Sequence, residues 1–537
     1  MTTDKSSKRT VEDYGSKSRD ELIDMVKQRD SQVAHLIHQI DVFRRMQFGP
    51  RTEKQSGPID PKGLLPFPSL KALLDEVEAN AKARAAAQLA LKQQTAKTRT
   101  PRGPRSQFPE HLPRLRRAKE LSKEELTCSC GCLRKKIREE KSQRLERIAV
   151  TYVEEIVTIY YACAKCETVL ASKPDAPSVI EGGLLGPNFL AELIHDHFGL
   201  HLPYSRIEKK LGYEGLELSR SVLCSSVLRC GELLRPIYDA LVKHVLSNFL
   251  VRVDETPVVI RNGNAKGRKR GFFWIYGSQD GCTFFDLRPD RGRASPEQHL
   301  AGFRGFIQAD AFAGYDFLFK GEGEGVRTEI GCWAHMRRKF FEASTSDPEL
   351  WQEISAMLCV VFEIERQAKG LTPEARYTLR MQQTKPILDE IRKWIDARIL
   401  VVNPQSQMFK AIQYARNHWT AFTNFLRDGR IEDITNNAAE RSLRAVALGR
   451  KNWMFVGTED AGRDGMVLMS LISTCKQLDI NPIEYLRDVL LRIAAPGTAA
   501  DPAELTPKRW KENAEAKARV QSSRTAIAAV VGSFGRR

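Results

Sequence analysis

Apolar positions recur every seven residues over the stretch 19–47: Val26, Val33 and Ile40 form one seam, and Leu22, Leu36 and Phe43 its companion, with Arg29 intruding. A seam spaced four and three apart predicts either a short coiled coil or an amphipathic helix packed on its own chain. Phe48-Gly49-Pro50 ends it. The next periodic signal is weak. Residues 56–120 read as linker with one helical stretch, and 91–120 hold nine Lys/Arg, two Asp/Glu and prolines at 101, 104, 109 and 113. Such a composition resists folding into a core. In AVTYVEEIVTIYY (149–161) β-branched and aromatic residues predict a strand. From 187 the pattern becomes helical: LAELIHDHF, then YSRIEKKLG, then YEGLEL leading into SRSVLCSSVLRCGELL. A short helix, a Gly-bearing turn and a helix capped by Ser219 or Ser221 look like a helix-turn-helix, with Arg220 where phosphate or base contacts begin.

A period of two takes over at 249. In FLVRVDETPVVIR (249–261) Val251 and Val253 fall on one face, and Arg252, Asp254 and Thr256 on the other. FFWIYGS (272–278) and CTFFDL (282–287) follow, separated by Gln279-Asp280-Gly281, a tight-turn signal. ASPEQHLAGF reads as a short helix capped by Ser295, and GFIQAD (305–310) as a buried strand ending in Asp310. A short helix precedes a fifth strand, VRTEIGCW, and AHMRRKFFEA begins another helix. Residues 346–428 read as helices throughout. Three strands, helix, strand, helix, strand, helix is the order of a ribonuclease-H-like core. In that fold one acid projects from the first strand, one from the end of the fourth, and one from a helix after the fifth. Asp254 and Asp310 occupy the first two places, and TNNAAERSLRAVALGRKNW (435–453) supplies the third. With Asn436 or Thr435 as cap, Asn437, Glu440, Arg441 and Arg444 share one helical face, while Ala439, Leu443 and Val446 share a face that can pack on the sheet.

Composition now bears on function. The 537 residues are too many for one core, and 42% apolar with 28% charged residues excludes global disorder. Lys plus Arg total 84 against 67 Asp plus Glu, and the net charge of +17 suits a polyanion, nucleic acid first. No run of 18 apolar residues predicts a membrane span, and the start MTTDKSSKRT has no apolar segment of a secretory signal. Eleven cysteines, five of them between 128 and 166, fit a reducing cytoplasmic setting and a metal site. Cys163 and Cys166 form a CxxC knuckle, and two of Cys128, Cys130 and Cys132 would complete a four-thiolate site for one structural Zn²⁺. Buried cysteines without metal are the plainer alternative. A lone strand-borne Asp is usually a turn or salt-bridge residue. Asp254, Asp310 and Glu440 gain weight only as three acids in fold order, since converging carboxylates repel unless cations join them. Two Mg²⁺ or Mn²⁺ ions, which favour oxygen ligands, would serve.

VDETPV (253–258), HLAGFRGFIQADAFAGYD (299–316), CWAHMRRKFFEA (332–343) and NNAAERSLRAVALGRKNWMFVG (436–457) closely resemble the transposases of bacterial insertion sequence sixty-six and its relatives, from about residue 20 to 495. The resemblance implies a DDE transposase whose metal ligands are Asp254, Asp310 and Glu440, with a helical insertion before the Glu helix. Two departures stand out: CSCGC replaces the usual CPxCG knuckle, and Thr435-Asn436-Asn437 replaces Asp-Asn-Asn. Cys332 and His335 match a Cys-x-x-His element that either shapes such sites or supports the fold.

The expected organisation is coiled coil (1–55), basic linker (56–120), zinc ribbon (121–180), helix-turn-helix-like region (181–248), core in two parts (249–345 and 429–475) around the helical insertion (346–428), and a C-terminal helix with basic tail (476–537). The expected function is binding of terminal inverted repeats, strand cleavage and 3′-hydroxyl strand transfer, in a homo-oligomer associated with the nucleoid. Arg220, Arg441, Arg444, Arg450 and Lys451 would contact DNA. Small accessory proteins of the same element are implied partners. A non-catalytic DNA-binding repressor and a nuclease without strand transfer are the rival readings.

Overall fold

The computed structural model describes residues 79, 151–162, 169–172, 178–261, 268–310, 313–320, 326–453, 456–495, 500–513 and 517–525. The coiled coil expected over 19–47, the basic tract 91–120 and the cysteines at 128, 130, 132, 163 and 166 lie outside the described residues. The described residues divide into two compact units, one containing Ile330–Thr435 and the other containing the described residues between 151 and 329 and between 436 and 525.

The second unit is built on a mixed sheet. Before it, β1 (Ile159–Ala162) and β2 (Val169–Ser172) pair antiparallel, with the CxxC knuckle in the sequence between them. The strand is shorter than the pattern predicts: residues 151–158 carry no regular structure. The sheet itself comprises β3 (Leu250–Arg261), β4 (Arg268–Ser278), β5 (Thr283–Arg288), β6 (Gly305–Ala309) and β7 (Arg327–Gly331), in the order β5-β4-β3-β6-β7. β3 pairs antiparallel with β4 and parallel with β6, and β4 pairs antiparallel with β5. This topology is compatible with a ribonuclease-H-like core. The β4–β5 turn uses Gly281 at φ +91°, a conformation that disfavours side chains with a Cβ.

Alternation decides what each sheet face buries. Val251 and Val253 join Trp274, Tyr276 and Phe284 in one apolar cluster, which also takes Leu223, Val227 and Leu234. Those three lie on α3 (Arg220–Leu246), which follows α1 (Pro187–Ile194) and α2 (Tyr204–Tyr213). Helices of the 181–248 region therefore share one core with the sheet, and Tyr238 of α3 donates its hydroxyl to the Phe285 carbonyl at 2.8 Å. Ser219 is the N-cap of α3, accepting from Val222 N–H, and the turn before it contains Gly215 at φ +80°. The opposite face buries Val258, Ile260, Phe273 and Ile275 against Ala439, Leu443 and Val446. Each fully buried Leu or Val contributes about 1.5–3 kcal/mol, so this apolar stripe holds helix Asn437–Trp453 on the sheet.

Ser295 departs from expectation. Helix Ala294–Leu300 starts after Arg293, and Ser295 sits within it, buried. Its hydroxyl donates to Asp286 at 2.6 Å and lies 2.9 Å from the Tyr276 hydroxyl, so a tertiary acceptor displaces the capping role.

In the other unit, helices Trp333–Ala343, Pro348–Ala368, Pro373–Leu379, Lys385–Arg398, Gln407–Asn417 and Trp419–Thr423 surround an aromatic core. Trp333 meets Phe422 and Phe425 edge-on, and its indole N–H donates to the Phe422 carbonyl at 2.9 Å. A buried ion pair, Arg380 with Glu365 at 2.6 Å, adds an Arg380 contact over the Phe425 ring. Cys332 is buried as the N-cap residue of helix Trp333–Ala343, and its carbonyl accepts from His335 N–H. Among the described residues, no helix is long and apolar enough to cross a membrane.

Candidate active site

Strand alternation turns Asp254 away from Val251 and Val253, onto the sheet face covered by helix Asn437–Trp453. Its Oδ1 accepts the backbone N–H of Glu255 at 2.9 Å. Burial pushes the Asp254 carboxyl up to about 8, and the charges of Glu255, Asp310 and Glu440 push the same way. Asp310 stands directly after β6, which runs parallel beside β3. Glu440 lies in the first turn of helix Asn437–Trp453, and its N–H donates to the Asn436 carbonyl at 3.1 Å. The three acids thus come from two adjacent strands and the helix packed on the sheet.

The start of that helix is tied to β3. Asn436 donates its side-chain amide to the Val253 carbonyl at 2.8 Å. Thr435 donates its hydroxyl to Asp433 at 2.7 Å. Asp433 also accepts the Thr435 backbone N–H at 2.7 Å, closing the turn before the helix.

Two acids that alternation and motif did not single out as site members border the cluster. Glu255 is deeply buried on the other face of β3, where Tyr315 and Arg291 donate to its carboxylate. Burial outweighs these donors and raises its carboxyl. Glu329 on β7 is pushed up to about 7 by burial and by Asp316 and Asp310. An acid within the otherwise strand-like VRTEIGCW was the available signal for Glu329.

The basic candidates separate. Arg441, Arg444 and Lys451 are exposed on helix Asn437–Trp453. Arg450 instead donates to the Thr256 hydroxyl at 3.1 Å and the Pro257 carbonyl at 2.6 Å, fastening the helix to β3. Arg220 is exposed and pairs with Glu208 of α2 at 2.9 Å. Asn437 is half-buried at the start of its helix.

Asp254, Asp310 and Glu440 offer only carboxylate oxygens, a donor set suited to Mg²⁺ or Mn²⁺. A cation would offset both the burial and, secondarily, the neighbouring charges that raise Asp254. Among the described residues, His244, Asp280 and Cys282 bring possible ligand atoms within 4.8 Å of one another. There, however, Lys508 already sits 2.8 Å from Asp280 and His244 2.7 Å, so the carboxylate's charge is met by side chains.

Residues 182–464 match the family model described as Transposase IS66 family. Residues 470–507 match the IS66 C-terminal element, and 35–117 the model described as Transposase C of IS166 homeodomain. The chain is 32% identical to the uncharacterized protein y4hP of Sinorhizobium fredii over 501 residues, 88% of each chain. The uncharacterized y4qI of the same organism is 29% identical over 507 residues, 91% of each chain.

Proposed function

The chain belongs to the IS66 transposase family, and from that premise we propose that it cleaves DNA at the ends of its element and joins the freed 3′-hydroxyl to target DNA. The observation that carries this reading is the placement of Asp254 on β3, of Asp310 at the end of the parallel neighbour β6, and of Glu440 in the first turn of the helix packed on that sheet. Three such carboxylates are poorly suited to mutual contact and well suited to divalent cations.

In this reading Asp254, Asp310 and Glu440 hold two Mg²⁺ or Mn²⁺ ions. When bound, such ions activate an attacking oxygen and stabilise the leaving one. The remaining work falls to the chain. The Glu255 N–H orients the Asp254 carboxylate. Asn436 and Arg450 hold the Glu440 helix against β3. Arg441, Arg444 and Lys451 meet phosphates, and Arg220 does so at the end-binding region. Cys163 and Cys166, with two of Cys128, Cys130 and Cys132, hold one structural Zn²⁺. Residues 19–47 pair protomers so that two ends are held together. Small accessory proteins of the element join the assembly, which acts on the nucleoid in the cytoplasm.

Incubation of the protein with intact and with pre-cleaved element ends, Mg²⁺ and a plasmid tests the reading, the intact ends scoring cleavage and the pre-cleaved ends joining. Ends joined to plasmid support it. Cutting without joining identifies a nuclease, and binding without either identifies a repressor.

A further inference from the structure

The last pair of the parallel β3–β6 ladder is Arg252 with Gln308. These side chains also bond each other, Arg252 Nε donating to Gln308 Oε1 at 3.0 Å, in a buried setting. Asp254 and Asp310 each stand two residues beyond that pair, past the ladder that fixes the strand separation.

Glu255 lies on the other face of β3. Its side chain is 2% exposed. Tyr315 donates its hydroxyl to Oε2 at 2.7 Å, and Arg291 Nε donates to Oε1 at 2.8 Å. Tyr315 is itself buried, in the short turn Ala313–Tyr315, five residues past Asp310 (315 − 310). Packing aims its hydroxyl: the ring stands edge-on to Trp274 at 6.0 Å, and Trp274 is the ladder partner of Glu255. From Glu255 the connection continues through its own backbone N–H to Asp254 Oδ1.

Val251 and Val253 show what this face of β3 otherwise takes. A carboxylate there must be desolvated and adds repulsion beside Asp254 and Asp310. What it gains over an apolar side chain is a bond to each of two segments, one following β5 and one following β6. We propose that Glu255 and Tyr315 are positioning residues that set the spacing of Asp254 and Asp310, and through it the affinity of the acid cluster for divalent ions. This rests on the reading of those acids as ion ligands.

The test is Mn²⁺ binding to the full chain, followed by the electron paramagnetic resonance of free Mn²⁺, with melting in chelator as the control for folding. Tyr315→Phe removes only the hydroxyl and keeps the packed ring. It is expected to weaken Mn²⁺ binding about tenfold, in the range of partners that orient metal ligands, while melting as the parent does. Glu255→Gln is expected to weaken binding in the same direction. Asp254→Asn should abolish the site. Parent-like Mn²⁺ affinity in folded Tyr315→Phe, with Asp254→Asn defective, overturns the positioning role alone. Parent-like affinity in Asp254→Asn overturns both this inference and the ion-ligand reading beneath it.

Discussion

Asn436 donates its side-chain amide to the backbone carbonyl of Val253 at 2.8 Å, joining the residue before the Glu440 helix to the residue before Asp254. The two lie 183 positions apart in the chain. The bond is buried, and it fixes the helix start against the strand that carries Asp254.

Asn436→Ala would leave the Val253 carbonyl without this donor. Losing a hydrogen bond to a buried group destabilises by about 1–3 kcal/mol. We expect a lower urea midpoint and a fall in strand cleavage larger than the stability loss explains at low temperature. Parent-like cleavage by the variant would show that the bond does not position Glu440.

Glu440→Gln keeps side-chain size and helix while removing a charge. Two-metal phosphodiester chemistry should fall by orders of magnitude. Binding to element ends, measured by gel shift, should persist, because the proposed phosphate contacts are made by other side chains, Arg220, Arg441 and Arg444 among them, which the substitution leaves in place. Near-normal cleavage and joining by folded Glu440→Gln would place the third ligand at another residue. Asp254→Asn should match Glu440→Gln in severity, and Glu255→Gln should hurt less, since Glu255 acts from the opposite face of the strand.

Asp280 gives a pH prediction. Burial alone would raise its carboxyl, but hydrogen bonds from His244, Lys508, Ser278 and the Cys282 N–H outweigh burial and hold it well below the usual range. A depressed carboxyl stabilises the fold above its unfolded value, about 3.9, and loses that contribution as pH falls below it. Asp280→Asn should destabilise by about 1–2 kcal/mol at neutral pH, a figure reduced for partial exposure of the group. The difference in urea midpoint should be flat above about pH 4 and shrink below it. A difference that grows on acidification would contradict the assignment.

The thiolate site predicts one Zn²⁺ per chain in protein purified without chelator. Cys163→Ser should lower the zinc content and weaken end binding, because structural zinc contributes folding energy directly. Zinc-free parent protein that still binds ends would count against it.

Local periodicity made much of the sheet and its helix legible. Alternation along 249–261 is a property of the extended chain itself, so the faces of Val253 and Asp254 could be read before any partner was known. The 3.6-residue period likewise assigned Ala439, Leu443 and Val446 to a packing face, where they are buried against the sheet. Ser219 as a cap is equally local, because its acceptor and donor lie three residues apart.

What only the tertiary structure decided involves partners distant in sequence. The pattern assigned Glu255 to the face opposite Asp254 but gave no sign that Tyr315, 60 residues on, would engage its carboxylate. Arg450 looked like its exposed neighbours Arg441 and Arg444, yet the strand 193 residues earlier takes its guanidinium. Ser295 had the residue type of a cap, but Asp286 on the neighbouring strand is its acceptor. Helical and strand periods report which side of an element is apolar. They do not report which polar atom will stand opposite a buried one, and a buried polar atom must have one.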